Sequence, residues 1–352
     1  IYMNKFYSLK VQEIDSLTSD SVKITFTDYD TDVFKFISGQ YITLRQKIND
    51  QEIRRSYSLS SQPGEALEIG VKRIENGLMS TFLTKELKVG DYIDVMEPCG
   101  NFYLDSKGKG SHYVGICAGS GITPILSMIK KVTKDDPESY FTLIYGNQRS
   151  NSVMFAEDLR SLESNFQSQL FIHYFFSREN VSDCIQGRID NITLQNLCDT
   201  NSNLRDADSY FLCGPGEMID NVNSFLSSLG VEENKIHFER FYTDSSKKEV
   251  QENRGDDEVI SNVTVSVDGD DFAFELSSKG DTVLEAAMNA GADVPFSCKG
   301  GVCCVCKAKV IEGKVMMDQN YSLSEDEVKE GYVLTCQSHP KSENVIIDFD
   351  EV

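Results

Sequence analysis

An antiparallel β-barrel, a doubly wound parallel α/β sheet and a small sheet grasping one helix, in that order, form the multidomain fold class predicted by three changes of rhythm along the chain. Short alternating apolar runs fill residues 4–105, and apolar strands alternate with amphipathic helical stretches over 111–243. A hairpin, a helix and a cysteine-rich loop follow from 261. At 352 residues, each part is large enough to bury a core of its own.

The barrel is read from runs at Phe6 to Val11, Ser21 to Phe26, Gln40 to Leu44, Arg54 to Ser60, Leu67 to Val71 and Tyr92 to Met96. Turn signals at Gln62-Pro63-Gly64 and Gly90-Asp91 bound them, and one short helix is expected at Ser80 to Glu86. In the second part, strands are expected at Tyr113 to Cys117, Phe141 to Tyr145, Leu170 to Phe176, Tyr210 to Cys213 and Ile236 to Glu239. Helices begin near Pro124, Phe155, Thr193 and Glu217. The polar, charged stretch 244–260 reads as a linker. The third part turns near Asp268-Gly269, continues with a helix from Thr282 to Ala290 and ends in strands at Ala308 to Ile311 and Val345 to Phe349. Domains are therefore expected at 3–108, 109–243 and 261–352, with Met3 read as the natural start.

Composition narrows the function. A hydrophobic content of 40% with no long apolar run argues against a transmembrane helix and a secretory signal, so a soluble cytoplasmic protein is expected. Ten dispersed cysteines suit a reducing compartment. A net charge of −22 argues against nucleic acid and anionic membranes as partners and suits docking to a basic protein face. From residue 261 onward 17 acids oppose 7 bases, so this segment alone is strongly acidic. Solubility by itself also accounts for such a surface.

Cys298, Cys303, Cys306 and the distant Cys336 follow the C-x4-C-x2-C…C spacing of a plant-type [2Fe-2S] site. Three thiolates on a loop can wrap one side of a cluster while Gly300 and Gly301 let backbone amides turn toward it. Zinc also takes four thiolates, but its loops pair cysteines as two C-x2-4-C units rather than as a triplet plus one. Cys304 is an extra thiol that the spacing does not require.

In the barrel, Arg54-Arg55-Ser56-Tyr57-Ser58 lies on one expected strand. Arg55 and Tyr57 share a face, where a guanidinium can pair with pyrophosphate and a phenol ring can stack on a heterocycle. Gly77-Leu78-Met79-Ser80-Thr81 precedes a helix and offers amides and hydroxyls to a phosphate. A strand Arg-Tyr pair also occurs as ordinary surface and core, and a Gly-x-x-Ser start as an ordinary cap. In the second part, Gly119-Ser-Gly121-Ile-Thr123-Pro124 joins a strand to a helix and lets the backbone approach a dinucleotide pyrophosphate, although it lacks the full G-x-G-x-x-G spacing. Arg149 and the pair Ser177-Arg178 end strands where such sheets bind ligands, and can recognise a ribose 2′-phosphate or stand as solvated surface residues. Cys213-Gly214-Pro215-Gly216 ends another, where a small thiol leaves room for a flat ring or simply fills the core.

With these motifs in this order, the chain resembles the ferredoxin-NADP reductase superfamily fused to a C-terminal plant-type ferredoxin, over nearly all of residues 4–352. Arg55-Ser-Tyr57-Ser58 and Gly77-x-x-Ser80 match its flavin elements; Gly119-Ser-Gly121-Ile-Thr123-Pro124 and Cys213-Gly-Pro-Gly match its nicotinamide elements. Within it, Cys298 to Cys306, Gly331-Tyr-Val-Leu-Thr-Cys336-Gln-Ser and the terminal Asp348-Phe-Asp-Glu are similar to the reductase subunits of phenylacetyl-CoA epoxidases. The resemblance implies a β-grasp ferredoxin-like third domain, FAD on the barrel and NADPH on the parallel sheet. Arg55, Ser56, Tyr57, Ser58, Val71, Lys72, Gly77, Met79, Ser80 and Thr81 would contact FAD. Gly119, Gly121, Thr123, Arg149, Ser177, Arg178, Cys213 and Gly214 would hold NADPH, with Ser177 and Arg178 at its 2′-phosphate. It further implies a di-iron oxygenase subunit as protein electron acceptor.

A flavin is the necessary converter, because it takes a two-electron hydride and releases electrons singly to a cluster. Ser58, Thr123 and Cys213 are the expected catalytic residues around that hydride transfer, and the hydroxyl of Ser297 is expected to help tune the cluster. Another acceptor, such as a desaturase, a ring hydroxylase or a cytochrome, suits the same cofactors, and a redox-sensing module is a third reading. The polar linker suggests a ferredoxin domain that swings between flavin and partner.

Overall fold

The computed structural model describes residues 5–241 and 258–351. The first domain is a six-stranded antiparallel sheet of β1 (Phe6–Thr18), β2 (Ser21–Thr27), β3 (Tyr41–Ile48), β4 (Gln51–Ser58), β5 (Glu68–Lys72) and β6 (Tyr92–Met96), ordered β4-β3-β6-β1-β2-β5. A bridge from Leu59, just past β4, to Ile69 of β5 closes the sheet into a barrel and removes its free edges. Leu9, Val11, Ile24, Phe26, Ile42 and Leu44 alternate inward to fill it. The short helix begins earlier than expected, as α1 (Leu78–Thr81), and widens into a π turn over Phe82–Glu86. There the Thr84 hydroxyl donates to the Ser80 carbonyl at 2.7 Å, supplying a local partner where the α ladder changes.

The second domain is a six-stranded sheet with parallel pairing throughout. Its strands are β7 (His112–Ala118), β8 (Tyr140–Asn147), β9 (Leu170–Phe176), β10 (Ile185–Gln186), β11 (Ser209–Gly214) and β12 (Ile236–Arg240), ordered β10-β9-β8-β7-β11-β12. Helices α2 (Ile122–Asp135), α3 (Ala156–Asn165), α4 (Asn191–Thr200) and α5 (Gly216–Ser228) connect the strands, and two separate apolar clusters cover the two faces. The strand order reverses between β7 and β11, which opens a crevice at their carboxyl ends. The two-residue β10 is too short to leave a period in the sequence.

In the third domain, β13 (Ile260–Val267), β14 (Asp270–Ser277), β15 (Lys307–Glu312), β17 (Tyr332–Leu334) and β19 (Asn344–Asp348) form a sheet ordered β14-β13-β19-β15-β17. Beside it lies a small ribbon of β16 (Val315–Met317) and β18 (Ser338–Pro340). Helix α6 (Val283–Asn289) buries Val283, Leu284 and Ala287 against Val265, Leu334 and Ile347. Its cap is Thr282, whose hydroxyl accepts from the Glu285 amide at 3.3 Å. A second helix, α7 (Glu325–Lys329), follows the ribbon strand β16. Most of the expected linker lies outside the described residues. Its last residues differ from expectation: Val259 exchanges bonds with Ser278, and Ile260 starts β13. No helix among the described residues is long and apolar enough to cross a membrane.

Candidate functional site

The crevice between β7 and β11 is held narrow by Gly121. A β-carbon there would stand 2.1 Å from the Cys213 carbonyl oxygen and 3.0 Å from the Gly214 amide nitrogen, so only glycine lets the first turn of α2 meet the end of β11. Gly119 has φ +57 and open space where a side chain would be, a cradle of the kind a pyrophosphate enters. Thr123 is buried, with its hydroxyl donating to the Ser120 carbonyl at 3.1 Å. Its methyl group lies where a β-carbon on Gly70 of β5 would come within 2.7 Å, so barrel and parallel sheet are closely apposed at this point.

Cys117, Cys213 and Glu239 stand side by side on β7, β11 and β12. Across the domain boundary, Ser58 at the end of β4 donates its hydroxyl to Glu239 Oε2 at 3.0 Å, and both residues are buried. Ser58 and Cys213, expected from sequence, are thus brought together by Glu239, which the sequence reading left as an ordinary strand end. Burial pushes the Glu239 carboxyl up to about 8, opposed by the Ser58 hydrogen bond. Burial likewise raises the Cys213 thiol well above its usual range, so it stays neutral.

Because the folded Glu239 binds its proton more tightly than the unfolded chain does, its contribution is fully present below its ordinary value of 4.5. That contribution is lost as pH rises through about 8. Stability is expected to fall across this window by at most about 1.4 kcal/mol per pH unit. Glu239→Gln is expected to flatten the profile, checked by denaturant unfolding at several pH values.

On β4, Arg55 is exposed and Tyr57 half-buried, on the same face as expected, with burial holding the Tyr57 phenol well above its usual value. Ser56 points the other way. Its hydroxyl is shared with Thr43 at 3.1 Å and with Ser297 of the third domain at 2.8 Å. Ser56 and Ser297 therefore join two domains. The side chains of Val71 and Met79 lie in the barrel core, because strand alternation and the first turn of α1 turn them inward. Lys72 lies 3.8 Å from Asp20. The Ser80 hydroxyl accepts from the Ile74 amide and donates to the Gly77 carbonyl, which shapes the Gly77–Thr81 turn itself.

At the far side of the crevice, Arg149, Ser177 and Arg178 are exposed beyond the carboxyl ends of β8 and β9. The Ser177 and Arg178 amides donate to the Asn147 and Gln148 carbonyls, both at 3.0 Å, which aligns the two strand ends. Neither arginine makes an ion pair among the described residues.

The four expected cluster thiols converge. Cys298 touches both Cys303, at 3.1 Å, and Cys336, and Cys336 touches Cys306. The Gly300 amide donates to Cys298 Sγ at 3.3 Å, and hydrogen bonds from Cys303 and Cys336 outweigh burial to hold the Cys298 thiol well below its usual range. Among the described residues no three such side chains surround a single point as one metal ion requires. Two irons bridged by sulfide need only two thiolates each, which this array supplies. Cys304 faces away from the array: Tyr41 of β3 contacts its sulfur at 3.4 Å and accepts from its amide at 3.1 Å.

The cluster loop is seated on both other domains. The Arg54 guanidinium, 5% exposed, lies over the Phe296 ring at 4.2 Å and 3.7 Å from Asp293. Arg240 lies over Tyr321 at 4.7 Å, and Asn101 donates to the Ser322 carbonyl at 3.1 Å. A cavity of about 470 Å³ opens where the three domains meet, lined by Tyr41, Glu239, Cys303 and Cys304 among others.

Family models of an oxidoreductase FAD-binding domain, an oxidoreductase NAD-binding domain and a 2Fe-2S iron-sulfur cluster binding domain match residues 8–103, 116–224 and 265–341. The chain is 41% identical to one of the subunits of 1,2-phenylacetyl-CoA epoxidase from Escherichia coli (strain K12), over 99% of each chain. It is 30% identical to the ferredoxin reductase component of 3-ketosteroid-9-alpha-monooxygenase from Rhodococcus rhodochrous, over 97% of this chain and 96% of the relative. The solved structure of phthalate dioxygenase reductase shares the fold, with a TM-score of 0.63 and 24% identity over 99% of this chain and 100% of that one. The strand of Arg55 and Tyr57, the crevice and the thiol array thus occur in the order in which the family models match, and the chain belongs to the ferredoxin-NADP reductase superfamily of oxidoreductases, in the branch with a C-terminal plant-type [2Fe-2S] ferredoxin domain.

Proposed function

We propose that this protein takes electrons from NADPH and passes them through FAD and the [2Fe-2S] cluster to the di-iron oxygenase of a phenylacetyl-CoA epoxidase type of system. The observation that carries the reading is the three-domain junction, where Glu239, Tyr41 and the cluster cysteine Cys303 line one cavity. Bound to the first domain, FAD would supply the conversion of a two-electron hydride into single electrons for the cluster. The chain's own residues do the rest. Ser58 and Glu239 hold a proton at the junction, since the carboxyl is neutral over much of the physiological range. Buried Cys213 and Thr123 keep water from the floor of the crevice. Arg55 and the Gly77–Thr81 turn would hold the flavin's pyrophosphate side, and Tyr57 its ring. Domain limits of 3–108, 109–243 and 261–352, with a linker between the last two, suit this division of labour.

Preference for NADPH rests on Arg149, Ser177 and Arg178, whose charges and hydroxyl suit a 2′-phosphate. Arg178→Ala is expected to raise KM for NADPH about 10- to 100-fold while leaving KM for NADH within about twofold, the loss of one charge-assisted contact. Equal effects on both nucleotides would remove this assignment.

The acceptor is tested by reconstitution. NADPH oxidation is expected to become coupled to phenylacetyl-CoA consumption when the epoxidase's oxygenase subunits are added. Uncoupled oxidation with those subunits, alongside coupled turnover with a ring-hydroxylating oxygenase, would move the chain to another acceptor.

A further inference from the structure

Two cysteines that the cluster does not use face each other across a domain boundary. Cys99 follows β6 in the flavin barrel, and Cys304 sits between the cluster ligands Cys303 and Cys306. Both pack against one apolar cluster that includes Tyr41, Met96 and Val305. The partners are held from both sides. Tyr41 and Cys99 exchange backbone bonds, Tyr41 amide to Cys99 carbonyl at 3.0 Å and Cys99 amide to Tyr41 carbonyl at 2.9 Å. The Tyr41 hydroxyl in turn fixes the Cys304 backbone and sulfur. Gly100 keeps this clasp closed, because with φ +119 a β-carbon would stand 2.8 Å from the Tyr41 ring.

We propose that Cys99 and Cys304 are a modification site for hydroperoxides, forming a disulfide that fastens the ferredoxin domain to the flavin barrel. Cys304 lines the three-domain cavity, so a small oxidant reaches it there, while Cys99 is not among the residues lining it. The Cys304 sulfur attacks one oxygen of hydrogen peroxide, breaking the O–O bond and giving a sulfenic acid and water. The Cys99 thiol then displaces the sulfenic hydroxyl, forming the S–S bond and releasing a second water. Two thiols lose two electrons and two protons, and one peroxide is reduced to two waters. The cluster ligands keep their four thiolates, and a dithiol reductant reverses the bond. None of this depends on which nucleotide or acceptor the protein uses.

The test is peptide mapping of the protein carrying FAD and cluster, treated with hydrogen peroxide, acid-quenched, alkylated and digested with trypsin. A dithiothreitol-sensitive cross-link between the peptide holding Cys99 and the Gly300–Lys307 peptide is expected, absent from Cys99→Ser and Cys304→Ala and accompanied by retained cluster absorbance. Cys99→Ser is expected to keep NADPH oxidation within about twofold of wild type. Should Cys304→Ala fail to hold its cluster, Cys99→Ser alone decides. Both thiols alkylated after oxidation, Cys304 oxidised past sulfenic acid without a cross-link, or a cross-link that persists in Cys304→Ala would each overturn the proposal.

Discussion

Cys336→Ser is expected to abolish the visible absorbance of the cluster and to slow NADPH-driven reduction of a protein acceptor about 100-fold or more. Oxidation of NADPH with ferricyanide, which takes electrons from the flavin, is expected to stay within about twofold. A serine hydroxyl does not ionise at neutral pH and is a hard ligand, so it replaces a soft thiolate poorly. The fold around the site should survive the change. The Thr335 amide and hydroxyl both bind the Cys306 carbonyl, at 3.1 and 2.9 Å, and Gln337 Nε2 donates to the Cys336 carbonyl at 2.7 Å, so the turn carrying Cys336 is held by bonds that do not use its sulfur. Loss of both activities together, with the domain unfolded, would mean that the thiol is needed for folding rather than for electron passage.

Gly121→Ala is expected to be the most damaging change in the nucleotide crevice. The atoms in its way are the Cys213 carbonyl group and the Gly214 amide, which are backbone and have no rotamer to change. Separating β11 from the start of α2 is expected to cost about 3 kcal/mol of stability and to lower kcat/KM for NADPH about 100-fold, through misplacement of the nicotinamide-facing residues. Gly119→Ala provides the contrast. Its β-carbon meets nothing, so only the left-handed backbone is penalised, by about 1–2 kcal/mol, while a methyl group enters the open cradle and raises KM. Thermal unfolding and steady-state kinetics on the two variants separate the roles. Equal stability losses would contradict the close approach at Gly121.

Much of the fold was legible because its determinants are local. The alternating runs at Ser21 to Phe26 and Tyr92 to Met96, the turn at Asp268-Gly269 and the Thr282 cap each appear where periodicity or turn chemistry puts them. The convergence of Cys298, Cys303, Cys306 and Cys336 was legible for the same reason, three of the four lying within one loop. Less legible were features made by distant residues. The Ser58–Glu239 bond joins a barrel strand to the last strand of the parallel sheet, and the Tyr41–Cys304 contact joins the first domain to the third. No window of sequence contains either pair. Burial within a motif was not legible either: Val71 and Met79 fill the barrel core with their side chains, and only the packed structure distinguishes a backbone contribution from a side-chain one. Short elements such as β10 and β18 carry too few residues to show a period.

The most direct measurement is an anaerobic titration with NADPH, followed by visible absorbance and by electron paramagnetic resonance of the cluster. The expected result is loss of the flavin bands together with a reduced [2Fe-2S] signal that grows to about one spin per protein. Flavin bleaching with a cluster that stays oxidised under excess NADPH would contradict electron passage across the junction of Tyr41, Glu239 and Cys303.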